Sequence, residues 1–174
     1  MLLVEFLILL VLFLVFIQDM MSRAVYWIVF PILTALFIVL RILQHQQITE
    51  LWQPVLFNMG FLTIQMLIVS AWFSFKNRRW VNVTAQFIGW GDILLLISIA
   101  FYLSFLNFLF FYIASLIIVL SIWLILPAVF KLKNKHIPLA GLQALALILY
   151  LASDWWFIHM NVTNDYWLQQ FLIR

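Results

Sequence analysis

Two aspartates stand at the edges of long apolar runs. Asp19 closes the run that starts at Leu2, and Asp92 opens another inside Gly89-Trp90-Gly91-Asp92. Two carboxylates held face to face cannot both ionise easily, so such a pair shares one proton. The charged member takes a proton from water while the protonated member donates to a carbonyl, which is peptide hydrolysis with neither metal nor covalent nucleophile. Gly89 and Gly91 lack Cβ, so an extended peptide or a neighbouring helix could approach the backbone where the acid sits. Each residue also has a plainer role. Asp92 suits an N-cap, worth about 1 kcal/mol, and the glycines suit close helix packing. Asp19 suits an interfacial charge or a pair with Arg23, four positions on.

The setting comes from composition. The chain has 174 residues, 68% hydrophobic and 9% charged, with a mean hydropathy of +1.17. No soluble domain of this size carries such a surface. A crossing needs roughly 20 apolar residues for a hydrocarbon core of about 30 Å, so the expectation is an all-α, polytopic membrane protein, a single domain over 1–174 with a bundle of about six transmembrane helices. There is no cysteine, which excludes disulfides, thiolate zinc sites and thiol catalysis.

The first run, Leu2 to Gln18, is interrupted only by Glu5 and lacks the charge pattern and cleavage site of a signal peptide. A second helix is expected from about Ala24 to Leu40, kinked at Pro31, and after the polar stretch Arg41 to Gln53 a third from Pro54 to Phe75. Asp92 to Ala128 is too long for one crossing, so two helices should reverse near Ser104 to Asn107, the second ending at Pro127. A basic loop holds Lys131, Lys133, Lys135 and His136, and a sixth helix should run from Ile137 to Ser153.

Charge then sorts by side. One face collects Arg23, Lys76, Arg78, Arg79, Lys131, Lys133 and Lys135, the other only Arg41 and Arg174. The positive-inside rule makes the first face cytoplasmic and puts both termini outside. Glu5, Glu50, Asp154 and Asp165 fall outside, leaving Asp19 and Asp92, 73 positions apart, as the only acids inside and at matched depth. Ionisable groups at membrane depth are functional candidates.

The Gly89-Trp90-Gly91-Asp92 motif fits the Gly-x-Gly-Asp signature of membrane-embedded aspartic proteases, and the whole arrangement resembles the prepilin peptidase (type IV leader peptidase) family. In that family one aspartate ends the first helix of the core and the second follows Gly-x-Gly at the start of the fourth. Ile137-Pro138-Leu139-Ala140-Gly141 resembles the Ile-Pro start of its last helix. The resemblance implies Asp19 and Asp92 as the catalytic pair of an aspartic endopeptidase of the bacterial inner membrane. It would cleave, on the cytoplasmic side, a membrane protein or peptide bearing an N-terminal prepilin-like leader. The chain departs from the pattern at Leu94, where the family carries Lys, and at Arg23-Ala24-Val25-Tyr26, where it carries Ile-Pro-Asn. The Cys-rich domain that accompanies methylation in longer relatives is missing, which implies cleavage without methyl transfer. These departures suit the alternative, an inert membrane scaffold or chaperone that keeps the fold. The Pro-Ala-Leu motif of presenilin-like proteases is absent, and a transporter would favour ionisable groups near the midplane.

No cofactor is expected. His45, His136 and His159 are scattered without metal-ligand spacing. The nine tryptophans fall mostly near segment ends, as an interfacial belt does. The basic loops are explained by topology and anionic lipid rather than nucleic acid, so the bilayer itself and a leader-bearing substrate are the expected partners.

Overall fold

The computed structural model describes residues 1–22, 24–44, 48–77, 89–130 and 138–167. Six α-helices account for most of them: α1 (Leu2–Ser22), α2 (Val29–Leu43), α3 (Ile48–Asn77), α4 (Trp90–Ala100), α5 (Phe105–Phe130) and α6 (Leu139–Ala152). A π-helical turn, Ser153–Ile158, prolongs α6. There is no strand among the described residues. The protein is a helical membrane bundle. Four stretches are long and apolar enough to cross a membrane, Leu2–Ser22, Trp52–Lys76, Phe105–Ile122 and Leu139–Ile158, while α2 and α4 are shorter apolar helices. Leucine, isoleucine and phenylalanine occupy both the interior and the outer faces, as Phe6, Phe13, Ile64 and Leu149 show, because lipid solvates apolar side chains as well as a protein core does.

α1 packs most extensively on α6, and α2 lies against α1 and α4. α3 and α5 flank this group, α3 touching α4 and α5, and α5 touching α6. The shared core runs through Ile8, Leu12 and Val15 of α1, Leu33 and Phe37 of α2, Leu95 and Ile99 of α4, and Ala144, Leu147 and Leu151 of α6. Polar side chains fix the register of α2 and α4: Thr34 donates to Ser98 Oγ across the interface at 3.1 Å, and Ser98 Oγ lies 2.9 Å from the Leu94 carbonyl. In lipid such bonds act as register pins between otherwise interchangeable apolar faces.

Several boundaries differ from the sequence expectation. α2 begins at Val29, five residues later than Ala24, so Pro31 falls in its first turn. There its missing N–H costs nothing and no kink is needed. The polar stretch after Arg41 is partly helical, since α3 already starts at Ile48. The expected reversal near Ser104 to Asn107 occurs at 101–104, and α5 starts at Phe105 and runs past Pro127 to Phe130. Arg23, His45, Arg78, Arg79, the Lys131 to His136 loop, Ile137 and Arg174 lie outside the described residues.

The end of the bundle where α4 gives way to α5 is tied by polar groups. Asn58 on α3 donates to the Ala100 and Leu103 carbonyls, both at 3.0 Å, satisfying groups that a helix end leaves free. Asp165 does the same for the start of α5, accepting from Ser104 Oγ at 2.5 Å and from the Leu106 N–H at 3.1 Å. Asn107, fully buried, donates to the Asn164 carbonyl at 2.8 Å and accepts from Tyr150 at 2.8 Å. Asp165→Ala should therefore lower unfolding stability in detergent by about 1–2 kcal/mol, the worth of a helix cap. The exposed neighbour Tyr166→Ala should stay within about 0.5 kcal/mol of the parent in the same heat-unfolding assay.

Candidate functional site

The first turn of α6 brings the two sequence-predicted acids together. Its N-cap is Pro138, which offers no side-chain cap, so the backbone N–H groups of the first turn need acceptors from elsewhere. Asp19 supplies one from α1. Its Oδ2 accepts from the Gly141 N–H at 2.6 Å, and the residue is only 8% exposed. Asp92 faces the adjacent Ala140 N–H from α4 and lies close enough to Asp19 for the two carboxylates to act on each other's charge. A helix N-terminus carries partial positive charge, which favours carboxylates there.

Local structure explains why each acid points this way. The chain leaving α1 is turned by Ser22, whose Oγ lies 2.7 Å from the Gln18 carbonyl, and by Gln18, whose side chain accepts from the Tyr26 N–H at 3.2 Å. At the start of α4 the N-cap is Gly89 rather than Asp92. Asp92 sits at the third helical position and reaches back to accept from the Gly89 N–H at 3.2 Å, the acidic half of a capping box. One of its oxygens thus serves its own helix while the carboxyl also meets Ala140.

The glycines divide differently from their motif. Gly89 is exposed, and a Cβ there would lie 3.1 Å from Asp92 Oδ2. Gly91 faces inward, where a Cβ would meet Ala140 and Phe30 at 3.9 Å and Val25 at 4.0 Å, ordinary contact distances. The tight position is Gly141. A Cβ there would stand 3.1 Å from both Cβ and Oδ2 of Asp19 and 3.3 Å from the Phe16 carbonyl oxygen. Glycine at 141 is what lets α1 approach α6 closely enough for the Asp19 bond. Reasoning from sequence placed Gly141 in the Ile-Pro segment without giving it a role at the site. The signal was present, a proline at a helix start followed three residues later by glycine.

Among the described residues no group of three or more His, Asp or Glu side chains is arranged to hold a metal ion. Chemically, the site is two carboxylates from distant helices, anchored on one backbone turn. Compared with known proteins, the chain matches no family model, no curated protein and no solved structure.

Helix propensity alone favours alanine over glycine by about 1 kcal/mol, so a loss on substitution isolates the clash. Gly141→Ala should lower the heat-unfolding stability of the purified protein by about 1–3 kcal/mol, the usual cost of overpacking. Gly91→Ala, with open contacts, should not be destabilised.

Proposed function

We propose that this chain is a membrane-embedded aspartic endopeptidase of the bacterial inner membrane that removes the leader of prepilin-like proteins, cutting on the cytoplasmic side without methyl transfer. The observation that carries the reading is the convergence of Asp19 and Asp92, 73 positions apart in sequence, on one helix N-terminus within range of each other's charge. The Gly-x-Gly-Asp motif and the Ile-Pro start of the last helix give the family its support, and the agreement of motif order with helix order adds to it.

In this mechanism one aspartate accepts a proton from the attacking water while the other, protonated, donates to the scissile carbonyl oxygen. The tetrahedral intermediate then collapses as the leaving amine takes up a proton from the acid that formed on attack. Backbone N–H groups of the α6 first turn hold the carboxyl groups in place, so the pair is preorganised rather than assembled by the substrate.

A second reading has its own observation. A carboxylate that caps a helix from a neighbouring element is a structural tie in its own right, and this suits an inert scaffold retaining the fold. The two readings separate in one experiment. The purified protein in liposomes is mixed with a leader-bearing membrane protein, and new N-termini are mapped by mass spectrometry. Asp19→Asn and Asp92→Asn keep the shape and one acceptor oxygen each, and each should reduce cleavage by at least about 100-fold, the lower range for loss of an acid or base. Parent-rate cleavage by either folded variant, or none by the parent protein, would leave the scaffold.

The reading also places the acids on the cytoplasmic face with both termini outside. Because the chain has no cysteine, single cysteines report topology directly. In intact cells Gln53→Cys should react with a membrane-impermeant maleimide, and Lys76→Cys should react only after the inner face is opened.

A further inference from the structure

At the far end of α1 from Asp19 lies a second, unrelated polar site. Glu5 and Asp19 are 14 residues apart on one helix, about 21 Å at 1.5 Å per residue. A cavity of about 490 Å³ opens there between the start of α1, the end of α2 and the π-helical turn after α6, lined by Met1, Glu5, Leu43, Gln44, Asp154, Trp155, His159 and Asn161. Its lining includes two carboxylates, Glu5 and Asp154. Glu5 is only 4% exposed, and no described residue donates a hydrogen bond to its carboxylate. Gln44 Oε1 is buried and likewise without a partner. Asp154 accepts from the Asn161 N–H at 2.8 Å and the Val162 N–H at 3.4 Å, one bond on each oxygen, which leaves further lone pairs on both.

We propose that this cavity binds an ammonium group, the headgroup of an aminophospholipid or a small soluble amine, with Glu5 as its principal anionic contact. Two carboxylates in one wall call for a ligand that brings donors and positive charge, because buried acceptors left unpaired cost about 1–3 kcal/mol each. An ammonium supplies three N–H donors. Trp155 adds an aromatic surface of the kind that attracts organic cations. The chain turns past the cavity at His159 and Asn161 with φ of 55° and 59°, left-handed conformations in which histidine and asparagine are enriched. The arrangement does not fit a metal ion, since among the described residues no three ligating side chains are placed to hold one. The α-amino group of Met1 shares the wall and its charge acts on Glu5, so the test must separate an added amine from this internal one.

The full chain in maltoside micelles is supplied with phosphatidylethanolamine, phosphatidylcholine or phosphatidylglycerol, or with ethylammonium chloride against sodium chloride at equal ionic strength. Retained lipid is counted by native mass spectrometry and protection by heat unfolding. The expected result is retention of phosphatidylethanolamine at least tenfold over the other two lipids, reduced at least tenfold by Glu5→Gln. Protection by ethylammonium as well identifies the soluble amine as a sufficient ligand, and protection by the lipid alone identifies the headgroup. Should Glu5→Gln not fold, stepwise N-methylation of the ethanolamine lipid tests the same contact from the ligand side, with retention falling as donors are lost. Equal retention of all three lipids together with no effect of ethylammonium overturns the proposal and leaves Met1 as the cavity's own cation.

Discussion

The structure depends on how α6 begins. A helix that starts with proline at its N-cap has no side chain to satisfy its first N–H groups, and inside an apolar bundle water is a poor substitute. Asp19 from α1 fills the need at 2.6 Å on Gly141, and Asp92 from α4 approaches Ala140 beside it. Three helices that share no sequence neighbourhood are thereby fixed at one point. The same constraint explains the close passage of α1 over α6 and the glycine that permits it. Structural anchoring and candidate chemistry fall on the same oxygen atoms, so the two roles are coupled: whatever loosens the turn also misplaces the acids.

Much of this was legible in sequence because lipid makes the signal simple. Apolar runs separated by charge gave the helices, and the rarity of acids made Asp19 and Asp92 conspicuous. What escaped was what periodicity and charge do not encode. The break between α4 and α5 sits at 101–104, so it includes Ser104 but ends before Asn107, and both residues serve a network closing on Asn164 and Asp165. Asp92 reads as an N-cap from its position after glycine, yet the cap is Gly89 and the carboxylate reaches back. Gly141 was visible only as part of a motif, since its need for a missing Cβ arises from α1, 122 residues away in sequence. Asp154 and Asp165 look like solvated outer charges, and each instead binds backbone N–H groups of a neighbouring segment.

The bundle thus gathers its polarity at two ends. At one end two acids meet a single helix start. At the other, asparagines, serines and acids tie α3, α4, α5 and the segment after α6 into a closed network around buried Asn58 and Asn107. Among the described residues the interior between them is mostly aliphatic and aromatic, with polar side chains such as Ser98, Ser115 and Gln143 placed singly. Such a division lets one end be rigid scaffold while the other keeps its carboxylates on a short, defined stretch of backbone.

The brevity of α2 and α4 has a further meaning for the surrounding lipid. With 15 and 11 residues, they measure about 22 and 16 Å at 1.5 Å per residue, against about 30 Å for an average hydrocarbon layer. α2 exposes Ile32, Val39, Ile42 and Leu43, where a short helix is met by local thinning of the bilayer, whereas beyond Trp90 no residue of α4 is exposed. A helix screened from lipid escapes hydrophobic matching, so α4 can stop short and carry a carboxylate in its first turn without the bilayer having to thin around it.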